Sequence, residues 1–236
     1  MNSTQRYITS IGWLTVLSGL LAFACNVLLA FAVRFNFEAF ADPALLFNGF
    51  EASQAEFFRW GMITDIWGYY LLLVPAVLYF YEQMESPWRR VFAASGLAYA
   101  VIGASGAAIL ASAGTDLLRA FGQADVTAQA AFQKDFLLVY RVVNGGIWNL
   151  LEMGLMGVFC FGAAPLLRPR SKPLFYLTIA MGTSGVLDSL AHTFEWAGLG
   201  EFSLNAYLLL APVWAIWVGI LLMKQPHKFA AFTRNA

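Results

Sequence analysis

The sequence predicts an all-α fold, a polytopic membrane bundle of six transmembrane helices with both termini on the cytoplasmic side. Three observations carry this reading. Of the 236 residues, 60% are hydrophobic and 12% are charged, against about a quarter charged in an average soluble domain. Six apolar runs recur, each long enough to cross about 30 Å of hydrocarbon at about 1.5 Å per residue. The basic residues gather at alternate ends of those runs. A water-soluble globule is excluded, and residues 1–236 read as a single integral membrane domain.

The spans follow in order. The first, about 8–33, comes after MNSTQRY and is too long for a signal-peptide core, so it reads as a retained helix. The second covers about 57–81. The third, about 91–113, is rich in small residues, with Gly96, Gly103 and Gly106 inviting close helix contact. The fourth, about 136–163, holds Gly145 and Gly146, and the fifth, about 174–197, holds Gly182 and Gly185, which suggest similar crossings. The sixth covers about 202–223. Trp60, Trp67, Trp88 and Trp196 lie near span ends as an aromatic belt. Cys25 and Cys160 fall at different depths, too far apart for a bond that needs Cα atoms within about 7 Å, and are expected as buried free thiols.

Orientation follows from charge. Arg6, Arg89, Arg90, Arg168, Arg170, Lys172, Lys224, Lys228 and Arg234 mark the cytoplasmic face of a bacterial inner membrane. The longer segments 34–56 and 114–135 carry Glu38, Asp42, Glu51, Glu56, Asp116 and Asp125 and are assigned outside as loops. The first of them mixes Phe and Leu with acids. It is expected to lie as a partly ordered interfacial segment, with a lid over the bundle as the alternative. The formal net charge is zero and no basic block stands beyond the loop ends, which argues against nucleic acid. The partners implied are membrane lipid and either another membrane protein or a second copy of the chain.

Ionisable residues inside the spans are costly and should face the bundle interior. At about 100° per residue, Asp188, His192 and Glu195 share one face of the fifth span. Arg141, Asn144, Trp148 and Glu152 form one stripe on the fourth. In the second span Arg59 stands near the start and Asp65 about 12 Å into the span. Together they predict an outward-opening polar pocket lined by Asp65, Arg141, Asn144, Glu152, Asp188 and His192. Arg59 and Glu195 lie at its mouth, and Glu152 forms its floor. In the simpler alternative Arg141 pairs with Asp65 or Asp188 only to hold the helices in register. Glu152 has no Lys or Arg four residues to either side, so it is either a proton-handling group or a neutral acid hydrogen-bonded to Asn149 or a backbone carbonyl.

No cofactor and no metal are expected. A metal on Asp188, His192 and Glu195 would need ligands from another helix. His192 is the only histidine inside a span, with His227 in the tail, which excludes a bis-histidine haem within the bundle. Lys134, Lys172, Lys224 and Lys228 lie outside the spans or at their ends, which argues against a retinal Schiff base. Gly-rich phosphate loops, HExxH, GxSxG and CxxC do not occur.

Residues 56–84, EFFRWGMITDIWGYYLLLVPAVLYFYEQM, contain a phrase of the form F-R-x-G-x-x-x-D-x-x-G in Phe58, Arg59, Gly61, Asp65 and Gly68. This resembles the opening of the second span in a bacterial family of six-helix membrane proteins catalogued only as a domain of unknown function. The likeness extends to the short N-terminus, the extended first outer loop and the basic, proline-containing RPRSKPLFYL before the fifth span. It implies a six-helix fold and that Arg59 and Asp65 belong together, and it brings no substrate or catalytic residue.

Three functions are compatible with these residues. The pocket binds or transports a small solute or protons. The chain is an accessory or assembly subunit of a membrane protein complex. Or Glu152 or Asp188 serves as general acid and base in an intramembrane enzyme acting on a lipid or isoprenoid. Two features count against transport. Asp65 lies about eight residues into its span and Asp188 about fourteen, which is not an inverted repeat, and spans two, four and five are expected to run without the proline-broken segments of many transporter sites.

Overall fold

The computed structural model describes residues 3–226, so the tail residues His227, Lys228 and Arg234 lie outside the described residues. Among the described residues the chain is all-helical, and six helices are long and apolar enough to cross a membrane. They are α1 Ser3–Ala32, α2 Ala52–Gln83, α3 Arg89–Gln123, α4 Val126–Leu167, α5 Lys172–Thr193 and α6 Ala197–Lys224. This is the architecture of a multi-pass membrane protein. Consecutive helices are neighbours, and α6 packs on α1 to close the ring.

Glycine sets the closest crossings. A Cβ at Gly19 would stand 2.7 Å from the Pro212 carbonyl oxygen, and one at Gly219 would stand 2.5 Å from the Gly12 carbonyl oxygen. Backbone therefore meets backbone where α1 and α6 close the ring, a contact in which packing rather than hydrophobicity drives association. The α4–α5 crossing is built the same way, with Gly157 against the Gly182 carbonyl and Gly185 against that of Met153. Gly182 and Gly185 thus do what their sequence positions suggested. In α3 the small residues instead admit side chains: Phe159 lies against Gly96, Tyr70 against Gly103 and Trp148 against Gly106. Gly145 and Gly146 have nothing within 4 Å of an added Cβ, so the close crossing expected there is absent. Cys25 and Cys160 are buried and free.

The segment 114–135 is not a loop. It forms the ends of α3 and α4, joined by a short turn in which the Asp125 carboxylate accepts from the Thr127 and Ala128 amides at 3.0 and 2.9 Å and so caps α4. Its polar residues hid these helical turns from a search for apolar runs. The segment 34–56 folds back as two short 3-10 turns, Phe37–Phe40 and Pro43–Phe47. Leu46 and Phe47 are buried there in a second apolar core with Phe58, Leu118, Phe121 and Phe136. The segment is therefore an ordered cap over one end of the bundle, as in the lid alternative, with Phe35, Phe37 and Phe40 left exposed. Gln54 stitches it down, accepting from the Glu51 amide at 2.7 Å and donating to the Ala32 carbonyl at 2.8 Å. The exposed pairs Arg34–Glu51 and Arg119–Glu56 add little to stability.

Candidate functional site

The site is built where two helices lose α-geometry. In α2, residues Ile66–Tyr70 form a π-turn and Leu71–Leu73 a 3-10 turn. Pro75 is the local cause of the second, because it has no N–H to offer the Leu71 carbonyl four residues back. The chain tightens so that the Val74 amide bonds Leu71 instead. The carbonyls of Gly68 and Tyr69 accept hydroxyls from other helices, Ser18 of α1 and Tyr99 of α3. In α4, Val142–Glu152 is π-helical throughout. The expectation that span two lacks a proline-broken segment is corrected, whereas span four leaves α-geometry without a proline in the segment. Asp65 immediately precedes the first π-segment and Glu152 ends the second, and π-turns inside α-helices are frequent at functional sites.

Three carboxyl groups are buried in the interior: Asp65 is 7% exposed, Glu152 2% and Asp188 0%. Asp65 and Asp188 are both near enough to Glu152 to interact with it electrostatically. Among the described residues no Lys or Arg forms an ion pair with any of the three. Glu152 accepts the Tyr70 hydroxyl at 3.0 Å. Both Asp188 oxygens lack a hydrogen-bond partner among the described residues. The nearest cationic candidate is His192 Nδ1 at 3.5 Å, which lies closer, 3.1 Å, to the Asp188 backbone carbonyl. The other ring nitrogen is 2.9 Å from Asn149 Nδ2. An amide nitrogen only donates, so Nε2 accepts and the imidazole proton sits on Nδ1, facing Asp188. The His192 side chain is 32% exposed and carries this chain of groups to the surface at the capped end.

A tyrosine layer stands beside Glu152. The Tyr70 and Tyr99 rings lie 5.3 Å apart, and the Tyr99 and Tyr207 hydroxyls are 2.6 Å apart. Tyr99 spends its proton on the Tyr69 carbonyl at 2.8 Å, so Tyr207 must be the donor between the two hydroxyls. The Tyr69 hydroxyl reaches the Leu208 carbonyl at 3.0 Å. Tyr70→Phe is expected to destabilise the protein by about 1–3 kcal/mol, the usual cost of stranding a buried polar partner. Thermal unfolding in detergent measures it, and on a Glu152→Leu background, where no acceptor is left to strand, the same substitution should cost less.

Of the residues singled out in the sequence, the structure gathers Asp65, Glu152, Asp188 and His192. It separates the rest. Arg141 is exposed and forms no ion pair among the described residues. The reason is geometric: the wider π-turns between 142 and 152 rotate Arg141 off the stripe that a uniform α-helix would give it. Asn144 is half-buried and outside the hydrogen-bonded set. Arg59 lies over the Trp60 ring, 5.4 Å from its centroid, and makes no ion pair with Asp65. Glu195 is not helical, since α5 ends at Thr193 and Glu195 has φ 58° in the exposed turn that follows.

The sequence reading missed the tyrosines and the role of Asn149 toward His192. One signal was available, because a tyrosine in mid-span must find a hydroxyl partner. Among the described residues an apolar cavity lies between Leu73, Val77, Tyr99, Met156 and Trp214, and a surface groove lies between α4 and α5. Among the described residues no group of three or more His, Cys, Asp or Glu is arranged to hold a metal ion.

The fold and site define a multi-pass helical membrane protein with buried carboxyl groups that no Lys or Arg pairs among the described residues. Compared with protein families, with characterised proteins and with solved structures, the chain matches none.

Proposed function

We propose that this chain is a membrane carrier that binds or transports protons, or a small solute together with them, along the carboxyl groups of α2, α4 and α5. The observation that carries this reading is the burial of Asp65, Glu152 and Asp188 with no Lys or Arg paired to them among the described residues. An unpaired carboxylate inside a membrane bundle costs several kcal/mol, by order of magnitude, and a proton is the smallest cation that removes the cost. An Arg141–Asp pair would have given one of these groups a purely structural role, and Arg141 is exposed instead. Tyr70 and His192 place O–H and N–H groups beside the carboxyl groups of Glu152 and Asp188. The setting proposed is a bacterial inner membrane with both termini cytoplasmic and the capped end outward, following the bias of Lys and Arg along the chain.

The test is flux into liposomes that contain the purified protein and a pH-sensitive dye, driven by a potassium diffusion potential. The wild-type protein is expected to acidify the lumen, Glu152→Gln to slow this by about tenfold or more, and Arg141→Gln to leave it unchanged. Equal rates for wild type, Glu152→Gln and protein-free liposomes overturn the reading.

A further inference from the structure

The turn from α4 to α5 reads Arg168-Pro169-Arg170-Ser171-Lys172, three cations in five residues with no acid among them. Arg170 turns inward and donates to the Leu166 carbonyl. Arg168 and Lys172 remain exposed at the rim of a groove whose walls are Phe161, Pro165, Phe175 and Ile179. The pattern is regular: 161, 165 and 168 follow one stripe of α4, and 172, 175 and 179 follow one stripe of α5. The groove thus has a charged rim and an apolar floor that runs about 10 Å along the helices toward the middle of the bundle.

The Arg168 guanidinium lies 5.7 Å from the Phe175 ring centroid, which orients its planar fork at the rim. Among the described residues neither Arg168 nor Lys172 pairs with an acid. A guanidinium fork matches the two free oxygens of a phosphodiester, and an ammonium group adds a second point charge. Directly below these charges the surface is aromatic and aliphatic, which suits hydrocarbon and not a free ion. Independently of the carrier reading, we propose that this groove is a binding site for an anionic phospholipid, its phosphate on Arg168 and Lys172 and its upper acyl chain against Phe161, Pro165 and Ile179. Basic pockets between transmembrane helices are suited to such headgroups.

Native mass spectrometry of the full-length protein, offered equal amounts of dioleoyl phosphatidylglycerol and dioleoyl phosphatidylcholine, tests it. The wild-type protein is expected to retain the anionic lipid about tenfold better, and Arg168→Gln with Lys172→Gln to lose the preference. Ile179→Trp, which fills the floor without touching a cation, is expected to lower retention of the anionic lipid as well. Arg89→Gln, whose guanidinium lies over Tyr81 outside the groove, should change nothing. Equal retention of both lipids by the wild type overturns the proposal. So does an equal loss in Arg89→Gln, the mark of diffuse surface charge, and so does full displacement of the lipid by inorganic phosphate, the mark of a free-anion site.

Discussion

Gly68→Val is expected to cost the bundle about 3 kcal/mol or more. A Cβ at Gly68 would stand 2.5 Å from the Ala22 amide nitrogen and 2.8 Å from the Leu21 carbonyl carbon. Both are backbone atoms of α1, which cannot rotate out of the way as a side chain can. Overpacking a core typically costs about 1–3 kcal/mol. Here a second loss follows, because α2 can give way only by moving from α1, and that breaks the bond from the Ser18 hydroxyl to the Gly68 carbonyl. Stranding a buried acceptor adds about 1–3 kcal/mol. The contrast is Gly145→Ala. Its Cβ meets nothing within 4 Å, and alanine favours a helix over glycine by up to about 1 kcal/mol, so the change is expected to be neutral or stabilising. Thermal unfolding of the three proteins in one detergent, followed by helical circular dichroism, separates them. A Gly68→Val protein as stable as the wild type would contradict the α1–α2 contact, and a large loss in Gly145→Ala would contradict the open space beside α4.

What was legible in the sequence follows from how each signal arises. The six helices came from hydropathy, which depends on composition along the chain and not on neighbours. The burial of Asp65, Glu152 and Asp188 followed from the cost of a charge in hydrocarbon, which holds whatever the exact geometry. The orientation of side chains around a helix is more fragile, because it relies on one angle per residue. Through the π-segment Val142–Glu152 that angle changes, and the stripe joining Arg141 to Glu152 dissolves. Nothing in VVNGGIWNLLE marks a π-helix in advance, since the turn is stabilised by contacts with α3 and α5. The break in α2 was open to reading, because Pro75 stands inside the span and withdraws one donor. The partners that satisfy the irregular segment, Ser18 and Tyr99, are remote in sequence and become visible only once the ring is closed. Helix ends were lost for a different reason: outside the apolar zone α3 and α4 continue on polar residues, so the cap at that end looked like two loops.

Asp188→Leu is expected to raise stability by about 1–3 kcal/mol and to abolish proton flux. Asp188 is fully buried, and neither carboxyl oxygen has a hydrogen-bond partner among the described residues. His192 does not compensate, because its Nδ1 is 3.5 Å from the carboxyl and nearer, at 3.1 Å, to the backbone carbonyl of the same residue. A polar group buried without a partner lowers stability by about 1–3 kcal/mol. Leucine branches at the same atom, so its two methyl groups take the places of the two oxygens, and it is the better helix former. Asp188→Asn keeps the shape and the polarity while removing the acid. It is expected to leave stability nearly unchanged and to abolish flux as well. The two variants together therefore separate fold from function. Higher thermal stability in Asp188→Leu with flux lost in both would mean that the acid is retained at a cost to stability because the activity requires it, as strained functional groups commonly are. A loss of stability in both variants would mean that Asp188 holds a structural partner, and its place on the proton route would fall with that result.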